Sequence, residues 1–189
     1  LIFSRIFGVF LPSHIFFIQK LPIMHIIFSH GKESGLKGKK IIRLTEVARA
    51  NGFTTESIDY TGIDNPDERV EKLLNTLEQT QHDNSVLVGS SMGAYVSLAA
   101  AQHFAPSAIF LMAPALYLPG YGIQQFLPKC KNITIVHGWH DEVIPFMNSV
   151  NFSHQHNCTL HLVDDNHRLT KSLEMIADYF QTFLKQLHV

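Results

Sequence analysis

Ser85-Val86-Leu87-Val88-Gly89-Ser90-Ser91-Met92-Gly93-Ala94-Tyr95-Val96-Ser97-Leu98-Ala99-Ala100 is the stretch that decides the fold of this 189-residue chain. Residues 85–88 are nearly all apolar and stop at a glycine, which predicts a short strand buried on both faces. Residues 94–103 are small and rich in alanine, which predicts a helix. Between them lies Gly89-x-Ser91-x-Gly93. A passage this short forces a tight turn. The turn drives Ser91 into a strained backbone, and the flanking glycines remove side chains that would clash. Ser91 is then held out at the top of the sheet. The N–H of Met92 sits at the helix start, where unsatisfied N–H groups and the helix dipole favour negative charge. The bare pattern is common by chance and also fits an ordinary Gly/Ser turn. Its placement between a buried strand and a helix carries the reading.

Outward from this centre the same alternation recurs. Residues 24–29 (Met-His-Ile-Ile-Phe-Ser) predict a buried strand that ends in a turn at His30-Gly31. Residues 39–51 place Ile41, Ile42, Leu44, Val47 and Ala48 at helical spacing, with Gly52 as the stop. Residues 53–60 predict a strand. Residues 67–79 predict a helix through Val70, Leu73, Leu74 and Leu77, entered by Asn65-Pro66. Strands are predicted at 108–112, 133–136 and 159–163, and helices at 145–154 and 172–186. The last helix carries Leu173, Ile176, Phe180 and Phe183 on one face. Prolines and glycines make 114–126 a loop with at most a short helix. Strands apolar on both faces, alternating with helices, predict a three-layer α/β/α sandwich around a mostly parallel sheet of about six strands.

Composition narrows the functions. Hydrophobic residues make up 46% and charged residues 16%, so the chain is not disordered. The net charge is −1, and Lys37, Lys39, Lys40 and Arg43 form too short a run for a nucleic-acid partner. That run predicts a solvated helix start. Cys130 and Cys158 do not make a disulfide framework, and a reduced, cytoplasmic protein is expected. Among 12 histidines, His154-x-His156-x-Cys158 with His161 crosses a helix-to-strand junction, so no metal site is expected. Gly31-Lys32 and Gly38-Lys39 lack phosphate-loop spacing, and no cofactor is expected.

Residues 1–23 are apolar but interrupted by Arg5, Pro12, Ser13, His14 and Lys20. Their longest uncharged run, 6–19, is shorter than the roughly 18–20 residues of a membrane helix. No small-residue cleavage site follows. The segment reads as an N-terminal extension outside a domain of 24–189, with a weak membrane-surface contact as the functional alternative.

A serine hydroxyl needs a base to become a nucleophile. His167 lies on the loop after the last strand, at the same sheet edge. Asp141 lies after the 133–136 strand and is suited to orient it. Glu142 is the next candidate for the acid, and Asp164 and Asp165 are close to His167 in sequence. His137 and His140 lie beside Asp141 but precede it, which breaks the order Ser, Asp, His. Gly31 lets the backbone after the first strand approach a substrate closely, so the Lys32 N–H is the second candidate oxyanion donor beside Met92.

These residues resemble the α/β-hydrolase family, and more narrowly its small, lidless bacterial esterase-like members. Three stretches carry the resemblance: the His30-Gly31 loop, the Gly89–Gly93 elbow, and His137-Gly138-x-x-Asp141-x-Val143-Ile144-Pro145. The histidine loop matches more weakly, because it lacks the glycine that often precedes the family's histidine. The resemblance spans residues 24 to about 187. It implies a Ser91-Asp141-His167 triad, no metal, no cap domain, and hydrolysis of a small carboxylic ester, thioester or amide through an acyl-enzyme. It also implies two early antiparallel strands, which this chain lacks unless 1–23 supplies one. Tyr117, Leu118 and Tyr121, with Leu116 and Phe126, form an apolar patch expected to receive the acyl group, and Trp139 is a further lining candidate. The alternative is a hydrolase-fold binding protein with a silent triad.

Overall fold

The computed structural model describes residues 24–80 and 84–188. The expectation of an N-terminal extension at 1–23 lies outside the described residues. The chain alternates β1 (His25–Ser29), α1 (Lys39–Ala50), β2 (Thr54–Ile58), α2 (Pro66–Thr80), β3 (Ser85–Ser90) and α3 (Met92–Ala100). It continues with β4 (Ala108–Met112), β5 (Ile133–Gly138), α4 (Phe146–His156), β6 (Thr159–Val163) and α5 (Leu173–Lys185). A 3-10 turn follows at Gln186–His188.

The six strands form one sheet in the order β2-β1-β3-β4-β5-β6, and every pairing is parallel. Parallel neighbours need crossover helices, and these cover both faces. Side chains alternate between the faces with the strand period of two. Ile27, Leu87, Ile109, Leu111 and Ile135 join α2, α3 and α4 in one core. Ile26, Phe28, Val86, Val88, Phe110, Met112 and Val136 join α1 and α5 in the other. The register makes each face continuous, with Ile27 beside Leu87 and Leu87 beside Ile109.

The helices follow from their sequences. In α1, Ile41, Leu44, Val47 and Ala48 are buried, and Asn51 and Gly52 (φ +84°) end it. In α5, Ile176, Ala177, Phe180, Phe183 and Leu184 make one apolar stripe. Helix α3 is buried along its whole length, so it has no polar face and lies between the sheet and α2. It begins at Met92, two residues before the alanine-rich run, because the elbow passes from strand to helix with Ser91 as its only hinge. The 114–126 segment contains no helix. Its polar groups are satisfied locally instead: Gln124 Nε2 donates to the Leu118 and Tyr121 carbonyls at 2.8 Å each. No described helix is long and apolar enough to cross a membrane.

The topology positions the site. Helix α1 leaves β1 onto one face, whereas α3 leaves β3 onto the other. Adjacent strands whose connections depart in opposite directions leave a crevice at their C-terminal ends. Gly31 and Ser91 emerge at the two sides of that crevice.

Candidate active site

Ser91 sits between β3 and α3 with φ 56° and ψ −119°. That conformation costs a non-glycine residue on the order of 1–3 kcal/mol. Its surroundings hold it there. The Ser91 N–H donates to the Met112 carbonyl at 2.9 Å, and the Ser91 carbonyl accepts from Ala94 at 3.0 Å and Ala115 at 3.2 Å. The glycines make the turn possible. A Cβ on Gly93 would land on the Ser29 carbonyl, and one on Gly89 would land on the backbone of Ala94.

Ser91 Oγ lies 3.0 Å from His167 Nε2, and His167 Nδ1 lies 2.7 Å from Asp141 Oδ2. An ionised carboxylate only accepts, so Nδ1 carries the hydrogen and Nε2 is free to accept from the Ser91 hydroxyl. The Asp141 carboxylate is fully buried, whereas the His167 ring is 19% exposed. Burial alone would push Asp141 up. Hydrogen bonds from His137, His167 and the N–H groups of Ile144 and Val143 outweigh it and hold the carboxyl well below the ordinary carboxylate range.

Gly138 brings the two loops together. A Cβ there would strike the Asp165 carbonyl, so only glycine lets the acid loop lie against the histidine loop. Trp139 N–H donates to the Val163 carbonyl at 2.9 Å and His140 N–H to the Asp165 carbonyl at 3.0 Å. The buried Asp165 carboxylate accepts from Asn166 N–H at 2.8 Å and Ser172 N–H at 2.7 Å, so it braces the histidine loop. Asp164 is exposed and pairs with Lys171 and His140. Glu142 is exposed, on the wall of a depression of about 630 Å³ behind the histidine loop.

The loop after β1 lies directly against the elbow. A Cβ built on Gly31 would sit 3.4 Å from both Ser91 Cβ and the Ser90 carbonyl oxygen. The Lys32 side chain points out to solvent, with Nζ 3.9 Å from Asp64. The buried His30 accepts from Tyr60 N–H at Nε2 (3.3 Å), so its Nδ1–H donates to the Gly31 carbonyl at 2.7 Å. Burial lowers its pKa, which favours the neutral ring that this role needs. Buried Arg69 donates to the carbonyls of Ile63 at 2.7 Å and His30 at 3.4 Å. Met92 begins α3, and the first N–H groups of a helix have no partner within it.

The expected substrate residues divide. Tyr117, Leu118 and Tyr121 are half-buried against the core on the α3 side. Tyr121 packs edge-on against Tyr95 at 4.7 Å, and Tyr117 against Phe126 at 5.7 Å. Trp139 packs instead on Phe146 at 4.9 Å and is 47% exposed, in a loop where Val143 is also exposed, next to the exposed Met147 at the start of α4. Among the described residues, no three His, Cys, Asp or Glu side chains are placed to hold a metal ion.

Sequence reasoning missed four supporting side chains. His137 donates to Asp141, His30 and Arg69 hold the Gly31 loop, and Lys40 lies within electrostatic reach of Asp141 and Asp165. Burial lowers the Lys40 pKa to about 8, against the pull of those two carboxylates. His137 stands four residues before Asp141, near the end of β5, but that proximity alone gave it no role.

The chain resembles solved structures along most of its length. A protein from Xanthomonas campestris pv. campestris, assigned as a hydrolase of the alpha/beta superfamily, is 32% identical. The match covers 86% of this chain and 98% of that one, with a TM-score of 0.78. A serine hydrolase without a lid from Xanthomonas campestris is 19% identical, covering 89% and 84% with a TM-score of 0.74. Est1E from Butyrivibrio proteoclasticus is also 19% identical, covering 87% and 88% with a TM-score of 0.73. The fold and the 32% identical relative together define a hydrolase of the alpha/beta superfamily. No curated protein matches the chain. The family described as "Uncharacterised protein family (UPF0227)" matches over residues 25–129, and the chain belongs to it.

Proposed function

We propose that this hydrolase cleaves small carboxylic esters or thioesters through an acyl-enzyme on Ser91. One observation carries the reading: the unbroken hydrogen-bonded chain from Ser91 Oγ through His167 to the buried Asp141 carboxylate, with spacings of 3.0 and 2.7 Å. His167 Nε2 takes the hydroxyl proton as Ser91 Oγ bonds to the carbonyl carbon. Asp141 stabilises the imidazolium that forms. The N–H groups of Lys32 and Met92 receive the negative oxygen, and His167 returns its proton to the departing alcohol or thiol. Water repeats the sequence and frees the carboxylic acid.

The oxyanion role of Lys32 belongs to its backbone, which is compatible with a side chain that faces solvent. Tyr117, Leu118 and Tyr121 are the proposed acyl wall on one side of the crevice, and Trp139 on the other. The exposed apolar residues of the acid loop favour an open site for apolar acyl groups. No metal or cofactor is needed for these steps. The hydrolase domain in this reading occupies 24–189, and its location is cytoplasmic.

Hydrolysis of p-nitrophenyl esters from acetate upward, alongside matching acyl thioesters, tests the proposal. Native protein should turn over at least one series, and Ser91→Ala should not. Equal rates for the two proteins contradict it.

A further inference from the structure

Asp141 accepts from four groups, and three of them have no part in the relay from Ser91; one of those three is a side chain. His137, in β5, is fully buried. Its Nε2 lies 2.9 Å from Asp141 Oδ2 and 3.2 Å from the Ile144 carbonyl oxygen. Both neighbours only accept, so Nε2 carries the hydrogen and donates. On the far side of the ring, Nδ1 lies 2.7 Å from Ser149 Oγ, which α4 supplies and which is also fully buried. Strand, acid loop and helix therefore meet through one imidazole.

The placement on Asp141 is specific. Oδ1 is taken by the N–H groups of Val143 at 2.9 Å and Ile144 at 2.8 Å. Oδ2 is shared by His137 and His167. Each carboxylate oxygen offers about two lone-pair directions. With three donors outside the relay in place, the carboxylate has one direction left, and His167 Nδ1–H fills it. Removing His137 frees Oδ2 on one side and leaves a buried charge short of one donor, which costs free energy and removes one of the contacts that fix the carboxylate's orientation. Asp141 sits in the middle of the loop between β5 and α4, beside the exposed Glu142 and Val143, and His137 ties its carboxylate back to the strand.

We propose that His137, seated on Ser149, is a positioning residue that locks the Asp141 carboxylate so that Oδ2 is held against His167 Nδ1–H. Only its consequence for turnover rests on the hydrolase reading above. The lock itself is a property of the folded chain.

Nuclear magnetic resonance of the full-length protein gives a readout that does not need turnover. The His167 Nδ1 proton exchanges with water at a rate set by its bond to Asp141. In His137→Leu that exchange should speed up by at least about tenfold, the scale of one hydrogen bond to a charged group. With an ester substrate, kcat should fall by a similar factor while KM stays within about twofold, since no substrate contact is lost. His137→Gln, whose amide can donate to Oδ2, should restore both values. Ser149→Ala, which leaves the ring unanchored, should lie between native and His137→Leu. Unchanged exchange in a folded His137→Leu protein overturns the proposal, as does exchange in His137→Gln as fast as in His137→Leu. If His137→Leu does not fold, Ser149→Ala decides: faster exchange supports the lock and native exchange overturns it. If native protein hydrolyses no ester yet its Nδ1 proton responds to His137→Leu, the hydrolase reading fails and the lock stands.

Discussion

At the scale of single residues, Asp141 is the most heavily engaged group in the molecule's crevice. Its Oδ2 holds two histidines while Oδ1 holds two backbone N–H groups. Asp141→Asn keeps the size but lets the side-chain amide turn toward His167, favouring the wrong imidazole tautomer. Ester turnover should fall by roughly 10⁴-fold, as loss of a triad acid does elsewhere. The same variant has a stability signature. A carboxyl held below its ordinary range contributes stability at every pH above its unfolded pKa of about 4, and loses it as pH falls below that value. Native protein should therefore be more stable than Asp141→Asn in urea at pH 7, and the gap should close as pH drops below about 4. An equal gap at pH 7 and pH 3 contradicts the assignment. That Ser91, Asp141 and His167 would meet was legible because chemistry restricts the residue types and the fold restricts their order. His137 was not, because the same order rule that selects His167 as base sets His137 aside. A supporting histidine behind the acid obeys no order at all.

At the scale of elements, close approach decides more than propensity. β4 and β6 fall where the apolar runs end, but β5 continues through His137 and Gly138, because Gly138 still pairs with Val163 of β6. A glycine reads as a strand end in sequence; here it is a strand residue without a side chain, against which the histidine loop packs. Gly138→Ala must push that loop away and move His167. Reaction of Ser91 with a fluorophosphonate should slow by at least tenfold, on the order of the 1–3 kcal/mol that overpacking costs. Native reactivity in a folded Gly138→Ala protein contradicts the account.

Helix α1 allows a second prediction at this scale. Lys40, in its first turn, is half-buried, and burial lowers its pKa to about 8. A base with a lowered folded pKa costs stability while it is charged. That cost is in full force below about pH 8 and is relieved as pH rises from there toward its unfolded value near 10.4. Lys40→Met should thus raise the thermal midpoint at pH 7, and the advantage should shrink by pH 10. A lower midpoint at pH 7 would mean that the attraction to Asp141 and Asp165 exceeds the cost of burial.

At the scale of the whole molecule, two apolar cores on opposite faces hold one parallel sheet. Phe180 in α5 is the hub of the second core, with ring centroids 5.0 Å from Phe110, 6.4 Å from Phe28 and 6.0 Å from Phe183. Phe180→Ala should cost about 3–5 kcal/mol. The thermal midpoint should drop by on the order of 10 °C. Fluorophosphonate reactivity at 25 °C should survive, because the ring lies in the core formed by α1 and α5, away from the elbow. The three-layer architecture could be read from alternation and all-apolar strands alone. Strand order could not, because sequence fixes only the sequence of crossovers, and the reversal between β1 and β3 arises from the faces on which α1 and α3 settle.

In the proposed mechanism a base and a buried acid make the Ser91 hydroxyl nucleophilic. Intact-mass measurement after exposure to a fluorophosphonate, followed by peptide mapping, tests this most directly. Native protein should gain one adduct, mapped to Ser91, while Ser91→Ala and His167→Ala gain none on the same timescale. No adduct on the native protein, or an equal adduct on Ser91→Ala, would contradict it.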